Sequence, residues 1–218
     1  MKNADNRTDF IINLANLKNS DSVLTIGVAH IPEIEMILER VVKRCFCIDY
    51  DKKKINHAKK YVKKTEFING DITKQDKRLN NKFDTIIMLE VLEHIKDDNK
   101  TLQNIHKMLK RGGKLIITVP NKHPLHVFNP LLYTQHERHY SIKDIVSILK
   151  RNDFEIKYTN TVESPKILLD LYAHLFFKYL LRKSKEFGII TGKKDSTYLS
   201  NNKQSRGLDS IIVAIKHT

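Results

Sequence analysis

The 218-residue sequence predicts one α/β domain, residues 1–218, built on a seven-stranded, mostly parallel sheet with helices on both faces. Two observations predict this class. Short apolar runs alternate with amphipathic stretches along the chain, as expected when strands and crossover helices follow one another. In addition, 40% of the residues are hydrophobic, which is enough for one real core at this length.

The first half of the chain supplies three strands and two helices. Buried strands are predicted at 22–27, at 45–49 and at 65–70. Amphipathic helices are predicted between them, one over 31–44 and one from Asp51 to about Lys63. The second half adds a helix over 97–113, with an acidic start, a basic end and a glycine stop, and four strands at 83–89, 114–120, 154–160 and 210–216.

Another helix is predicted from Ser141, because Asp144 follows three residues later in a capping-box pattern.

Two segments interrupt the alternation. The first, 120–140, is a long loop rich in His, Pro and aromatic residues, and long loops of this kind often cover sites.

The second interruption, at about 163–208, is an insertion between strands six and seven. It holds one apolar helix and then a polar, basic stretch. We expect the helix to pack over the sheet or on a partner chain. The alternative is an interfacial helix that makes peripheral membrane contact and reaches a lipid-linked acceptor.

Charge and cysteine content narrow the class of protein. The formal net charge is +14, which indicates a well-solvated surface or, alternatively, an anionic partner: nucleic acid, an anionic membrane surface or a phosphorylated substrate. Cys45 and Cys47 alternate with Phe46, which is typical of core packing rather than of a disulfide or zinc site. No apolar stretch reaches the ~20 residues that a bilayer requires, so we expect a cytoplasmic protein without a membrane span.

Polar residues follow several of the predicted strands, at the edge where parallel sheets bind ligands. Gly27 ends strand one and allows close backbone approach to a ligand. Asp49 ends strand two, 22 positions later, where a carboxylate can hold the hydroxyls of a ribose. Asp71 follows strand three, and Glu90 to His94 follow strand four.

The succession "FDTIIMLEVLEHI", "MLKRGGKLIITVPN" and "HERHYSIKDIVSILKRNDFEI" resembles class I S-adenosylmethionine-dependent methyltransferases. It is most similar to the branch of the ubiquinone-biosynthesis O-methyltransferases and related small-molecule methyltransferases. The likeness covers roughly residues 20 to 160 and the final strand. It implies a Rossmann-like fold with an antiparallel last strand, S-adenosylmethionine as cofactor and S-adenosylhomocysteine as product.

The resemblance also implies which residues bind the cofactor. In this family the first strand lines the methionine moiety, the second binds the ribose, the third lies near the adenine and the fourth faces the sulfonium. Those roles fall on Gly27, Ala29, Asp49, Tyr50, Asp71, Ile72, Leu89 and Glu90.

The first motif departs from the family pattern V-L-D-x-G-x-G-x-G. In "VLTIGVAHI", Thr25 replaces the acid, and Ala29 and Ile31 replace two glycines. Ile31 narrows the space beside the cofactor's carboxylate, and the missing acid removes a polar anchor. We expect compensation by neighbours such as His30, or weak cofactor binding. A relative that binds a partner without catalysis is the alternative.

The segment "EVLEH" has two functional interpretations. In one, His94 takes a proton from the methyl acceptor, since imidazole titrates near neutrality. In the other, Glu90, Glu93 and His94 join His136 or His139 to bind Mg²⁺, Mn²⁺ or Zn²⁺, as in the similar E-x-x-E-H pattern of small-RNA 2′-O-methyltransferases. The simpler alternative is a helix cap at Glu90 and a surface histidine.

The sequence thus predicts S-adenosylmethionine-dependent methylation, on oxygen, of a small or lipid-like acceptor. The candidate catalytic residues are His94, His136 and His139. RNA methylation and a non-enzymatic binding role are the alternatives, and the oligomeric state is left open.

Overall fold

A computed structural model describes residues 7–121, 138–162 and 209–217. The seven strands in these ranges form one sheet in the order β3-β2-β1-β4-β5-β7-β6. Their bounds are Ser22–Ile26 (β1), Arg44–Asp49 (β2), Glu66–Asn69 (β3), Phe83–Leu89 (β4), Leu109–Pro120 (β5), Phe154–Val162 (β6) and Asp209–Lys216 (β7). The helices are Arg7–Ala15 (α1), Glu33–Val41 (α2), Lys52–Ala58 (α3), Asp98–Met108 (α4) and Ile142–Arg151 (α5).

The strand directions confirm the predicted fold class. Strands β1 to β5 pair in parallel, whereas β7 lies antiparallel between β5 and β6. Strand β1 pairs with β2 on one side and with β4 on the other, so the strand order reverses between β1 and β4. A crevice forms beyond the carboxyl ends of the strands at such a reversal, and open α/β sheets bind ligands there.

Alternate residues of the strands pack against different helices, as the two-residue period of a strand requires. Leu24 and Ile86 belong to the core formed with α4 and α5, and Val23 and Ile87 to the core formed with α1 and α2. Cys45 and Cys47 are free and buried, which confirms that the cysteines serve core packing.

Helix α1 is an element that the sequence analysis did not predict. Phe10, Ile11 and Ala15 are its buried residues, and their spacing places them on one side of a helix. That spacing is the local signal from which α1 could have been found.

Helix α3 ends at Ala58, earlier than the predicted Lys63. The reason lies in α2, where the carboxylate of Glu39 accepts hydrogen bonds from the backbone N–H groups of residues 63, 64 and 65 at 3.1, 2.6 and 2.6 Å. These N–H groups cannot continue the helix while they point at Glu39. These three bonds, together with one from the Thr65 hydroxyl, also hold the pKa of Glu39 below its usual range, against the effect of its partial burial.

The boundary between α4 and β5 also differs from the prediction. Helix α4 ends at Met108, and Leu109 already pairs with Phe83 of β4. The two glycines therefore lie inside β5, where Gly112 has φ +69° and a Cβ on Gly113 would lie 2.9 Å from the carbonyl oxygen of Lys110. They shape an irregular stretch of β5 rather than the end of a helix.

Helix α5 begins as predicted. The Ser141 side chain accepts from the N–H of Asp144, and the Asp144 carboxylate accepts from the N–H of Ser141, so both halves of the capping box are present. The predicted insertion at 163–208 lies outside the described residues, and the single-domain organisation stays a prediction. In the described ranges, no helix is long and apolar enough to cross a bilayer.

Candidate functional site

A cavity of about 830 Å³ lies at the carboxyl ends of β1, β2 and β4. Helix α1 forms one wall through Thr8 and Ile11, and the loop after β1 forms the opposite part of the lining. All eight residues implied to bind the cofactor line this cavity: Gly27, Ala29, Asp49, Tyr50, Asp71, Ile72, Leu89 and Glu90.

The chain turns at Gly27, directly after β1. Gly27 has φ +81°, a backbone conformation that residues other than glycine rarely adopt. Its N–H donates to the carbonyl of Ile48 at 2.9 Å. A Cβ on Gly27 would lie 2.6 Å from Cγ2 of Val91, in the segment that follows β4. The glycine therefore permits both the turn and the close contact between the ends of β1 and β4.

Asp49 is buried at the end of β2, and both oxygens of its carboxylate hold backbone groups. Oδ2 accepts from the N–H of Val28 at 2.8 Å, and Oδ1 accepts from the N–H of Asp51 at 2.7 Å. The side-chain amide of Asn69 donates to the carbonyls of Asp49 and Tyr50. Each carboxylate oxygen keeps a further lone pair, so the fixed carboxylate can also accept from a diol in the cavity.

The residues after β3 form another part of the lining. The carboxylate of Asp71 accepts from the hydroxyl and the N–H of Thr73 at 2.7 and 2.9 Å, and the hydroxyl bond is the main reason that the pKa of Asp71 is lowered. Ile72 is buried, and its carbonyl accepts from the amide of Asn104 at 2.9 Å. Tyr50 lies at the mouth of the cavity with its side chain mostly exposed.

The divergent first motif leaves the cavity open. The side chain of Ile31 lies on the rim and is 50% exposed. His30 does not line the cavity, because its ring stacks on that of His57 with centroids 4.5 Å apart. The hydroxyl of Thr25 instead donates to Oε1 of Glu35 in α2 at 2.6 Å.

Glu90 follows β4 in a left-handed conformation with φ +51°. Its carboxylate pairs with the guanidinium of Arg7 at 2.6 Å. The same guanidinium donates to the hydroxyl of Thr118 at 2.8 Å and lies 3.1 Å from the carboxylate of Asp209. Arg7 therefore ties α1 to β4, β5 and β7, a role that the sequence analysis missed because it did not predict α1.

Glu93 lies in a 3-10 turn, Leu92–His94, and its side chain does not line the cavity. The residue is 1% exposed, and in the described structure neither carboxylate oxygen has a hydrogen-bond partner. Burial, with a smaller contribution from the charge of Glu90, raises the pKa of Glu93 to about 8. The carboxyl is therefore mainly protonated at neutral pH.

The structure describes two of the three candidate histidines, and they line different cavities. His94 lines the main cavity, whereas His139 lines a separate cavity of about 540 Å³. In that second cavity Asp98 binds the guanidinium of Arg138 at 2.7 Å and the hydroxyl of Tyr140 at 2.8 Å. His136 lies outside the described residues.

The proposed metal ligands do not converge either. Among residues 7–121, 138–162 and 209–217, no group of three or more His, Cys, Asp or Glu side chains is arranged to hold a metal ion. Glu90 pairs with Arg7, and Glu93 is buried outside the cavity. This part of the chain therefore gives the metal hypothesis no support.

Comparison with known proteins identifies the family. The family model described as "Methyltransferase domain" matches residues 4–159. No curated protein has a significantly similar sequence.

Solved structures show the same fold at low identity. A candidate methyltransferase of Bacillus halodurans is 14% identical with a TM-score of 0.68, and the match covers 97% of this chain and 99% of that one. A candidate methyltransferase of Haloferax volcanii, in complex with the methyltransferase activator Trm112, is 16% identical with a TM-score of 0.71 over 96% and 87% of the two chains.

A third structure is the Haemonchus contortus phosphoethanolamine N-methyltransferase 2 with phosphomonomethylethanolamine and S-adenosylhomocysteine. It is 18% identical with a TM-score of 0.67, and the match covers 97% of this chain and 53% of that one. Together, the family match, the seven-stranded sheet and its strand order show that this chain belongs to the methyltransferase-domain family and has the class I S-adenosylmethionine-dependent methyltransferase fold.

Proposed function

We propose that this protein binds S-adenosylmethionine in the main cavity and transfers its methyl group to an oxygen of a small or lipid-like acceptor. The observation that carries the proposal is the pairing of the Gly27 turn with the braced carboxylate of Asp49 at the point where the strand order reverses. The family membership supports the same cofactor.

The described residues fit this cofactor. Gly27 leaves space that a side chain would fill, and Asp49 offers lone pairs to two ribose hydroxyls. Asp71, Ile72 and Leu89 line the same cavity, and the family resemblance assigns the first two to the adenine and Leu89 to the sulfonium. When bound, S-adenosylmethionine supplies a methyl group that is already activated by the sulfonium.

The chain's own residues then have to align the acceptor and remove its proton. His94 is the described histidine that lines the cavity beside Glu90, and we assign it the role of general base. His136 and His139 remain proposals for the acceptor side, and His139 would have to act from the neighbouring cavity.

Two other functions remain as competing proposals. The net charge of +14 supports an RNA acceptor, whose binding would weaken steeply with salt because phosphate contacts release counterions. A non-enzymatic binding protein is the second competitor, and the replaced glycines of the first motif support it.

The first experiment is calorimetry with S-adenosylhomocysteine on the wild-type protein and on Asp49→Asn. We expect binding by the wild type and a large loss in the variant. Absence of heat and of any thermal shift with the wild type would favour the non-enzymatic role.

The second experiment supplies S-adenosylmethionine with a labelled methyl group and offers lipid extracts, small-molecule extracts and RNA as acceptors in parallel. Label in an extractable O-methyl product supports the proposal, and label in RNA supports the competitor. His94→Gln should lower the transfer rate by about 10²-fold or more while leaving S-adenosylhomocysteine affinity within about twofold.

A further inference from the structure

Glu35 lies outside the first motif in the sequence, but its side chain contacts Thr25 of that motif. The residue sits in the first turn of α2 and is only 1% exposed, although a glutamate at a helix start is usually solvated. Its side chain reaches β1, where the Thr25 hydroxyl donates to Oε1 at 2.6 Å, and it forms part of the lining of the main cavity.

The position of this carboxylate explains the missing acid in β1. Thr25 occupies the position of the family's acid, and it is 2% exposed with its hydroxyl shared between Glu35 and the carbonyl of Phe46. Thr25 is shorter than the acid that it replaces and carries no charge. Glu35 supplies a carboxylate from the neighbouring helix, in contact with the Thr25 hydroxyl.

No cation of the described structure neutralises Glu35. The ion pairs found in residues 7–121, 138–162 and 209–217 do not include it. The titratable groups around it are the thiols of Cys45 and Cys47 on β2 and the carboxylate of Glu39 one turn along α2. Burial raises the pKa of Glu35, because an unpaired charge is expensive to bury.

A buried acid that faces a ligand cavity and lacks a counter-ion fits a cationic ligand. S-adenosylmethionine and S-adenosylhomocysteine both carry an ammonium group on the amino-acid end, and that end is expected near the loop after β1. We propose that Glu35 anchors this ammonium, replacing from α2 the carboxylate that β1 has lost; the inference rests on the proposed cofactor site.

A ligand pair isolates this contact. S-adenosylhomocysteine and 5′-methylthioadenosine share the adenosine and the thioether, but 5′-methylthioadenosine lacks the amino-acid end. Glu35→Gln keeps the shape of the side chain and removes its charge. Glu66→Gln is the control, since Glu66 is an exposed carboxylate on β3 that does not line the main cavity.

We expect Glu35→Gln to weaken S-adenosylhomocysteine binding about tenfold or more, because a charge-assisted hydrogen bond is lost. Binding of 5′-methylthioadenosine should stay within about twofold, and Glu66→Gln should change either affinity by less than about threefold, because exposed charges outside the cavity are screened. Isothermal titration calorimetry measures all of these affinities.

Calorimetry in buffers of different ionisation enthalpy adds a readout that a purely structural role would not change. Pairing with an ammonium favours the ionised form of Glu35, so over the pH range in which Glu35 titrates the wild type should release more protons than Glu35→Gln when it binds S-adenosylhomocysteine.

Equal affinity of Glu35→Gln and wild type for S-adenosylhomocysteine would overturn the inference. A parallel loss for both ligands would also overturn it, because Glu35 would then only support the shape of the cavity. A wild type that binds neither ligand would overturn the proposed cofactor site itself, and the two failures are therefore distinguishable.

Discussion

At the carboxyl edge of the sheet, the β2 end and the β4 end treat a buried carboxylate in opposite ways. At the β2 end, each oxygen of Asp49 accepts a backbone N–H at 2.7 to 2.8 Å. At the β4 end, neither oxygen of Glu93 has a hydrogen-bond partner in the described structure, and the preceding Glu90 adopts φ +51°. Asp49 is held by a backbone group at each oxygen, whereas the β4 end holds an acid that no described group bonds and a residue with positive φ.

This difference separates two tasks of one site. A satisfied carboxylate has a fixed position and suits a ligand that is the same in every turnover. Strained backbone and unpaired polar groups concentrate where proteins bind, switch or react. We infer that the β1–β2 end is preorganised for the cofactor, and that the β4 end is adapted to the acceptor.

The largest expected effect is that of replacing Glu93, the buried acid without a hydrogen-bond partner in the described structure. Glu93 has a folded-state pKa of about 8, above the 4.5 of an ordinary glutamate. Between these values the unfolded chain ionises Glu93 while the folded protein keeps it protonated, so folding stability falls as pH rises from about 4.5 to about 8. Glu93→Gln should remove this loss and stabilise the protein by about 4 kcal/mol at pH 8, but little at pH 4.5, as measured by urea unfolding.

The control for this prediction is Glu66→Gln, which neutralises an exposed glutamate on β3. It should leave the pH profile of stability unchanged. A Glu93→Gln variant with the same pH profile as wild type would show that Glu93 is satisfied after all and would remove the contrast between the two ends.

The second prediction concerns Asp49, whose carboxylate accepts two backbone hydrogen bonds. Asp49→Asn places an amide N–H₂ or a weaker acceptor against the N–H groups of Val28 and Asp51. We expect about 100-fold weaker S-adenosylhomocysteine binding, since hydrogen bonds to a charged group contribute roughly 1.5–3 kcal/mol. Calorimetry measures the affinity, and Asp51→Ala, which removes the side-chain cap of α3, should lower stability but not affinity.

The third prediction joins the two ends. Gly27→Ala should destabilise the protein by about 2 kcal/mol, through the positive φ and the 2.6 Å approach of the new Cβ to Val91. The double variant with Val91→Ala removes the clash but not the φ strain, so it should recover part of the loss in thermal unfolding. A neutral Gly27→Ala would mean that the two ends do not constrain each other.

The smallest expected effect is at Arg7. Arg7→Ala should weaken S-adenosylhomocysteine binding about fivefold and lower stability by about 1 kcal/mol, because it frees one wall of the cavity from Glu90 and Asp209. Arg78→Ala breaks an ion pair with Asp76 whose arginine is exposed, and it serves as the matched control. Equal behaviour of the two variants would show that α1 holds its place through its apolar face alone.

Most of the sheet was predictable because strands carry their signal locally. The apolar run Phe83–Leu89 coincides with β4, and the Ser141 cap begins α5 where expected. The start of β5 was not predictable, since Leu109 has the helical spacing of Leu102 and Ile105. Its pairing with Phe83 is a long-range contact that no local pattern records.

The site residues also differ in whether a local sequence pattern indicates them. Gly27 and Asp49 stand directly after strands and could be recognised as candidate site residues from the sequence. The pair of Arg7 and Glu90 spans 83 positions, and neither residue type indicates the other. The sequence did not indicate Glu35 for a different reason. A glutamate in the first turn of an amphipathic helix has the sequence features of a surface residue.

The contacts of Arg7 have a practical consequence for work with this protein. Its guanidinium holds β7, near the end of the chain, together with β4 in the middle. A purification tag fused shortly before Arg7, or proteolytic clipping within α1, would therefore change the ligand affinity that an assay reports. Carrying the tag on the other terminus and verifying the intact mass would keep such an artefact out of the binding data.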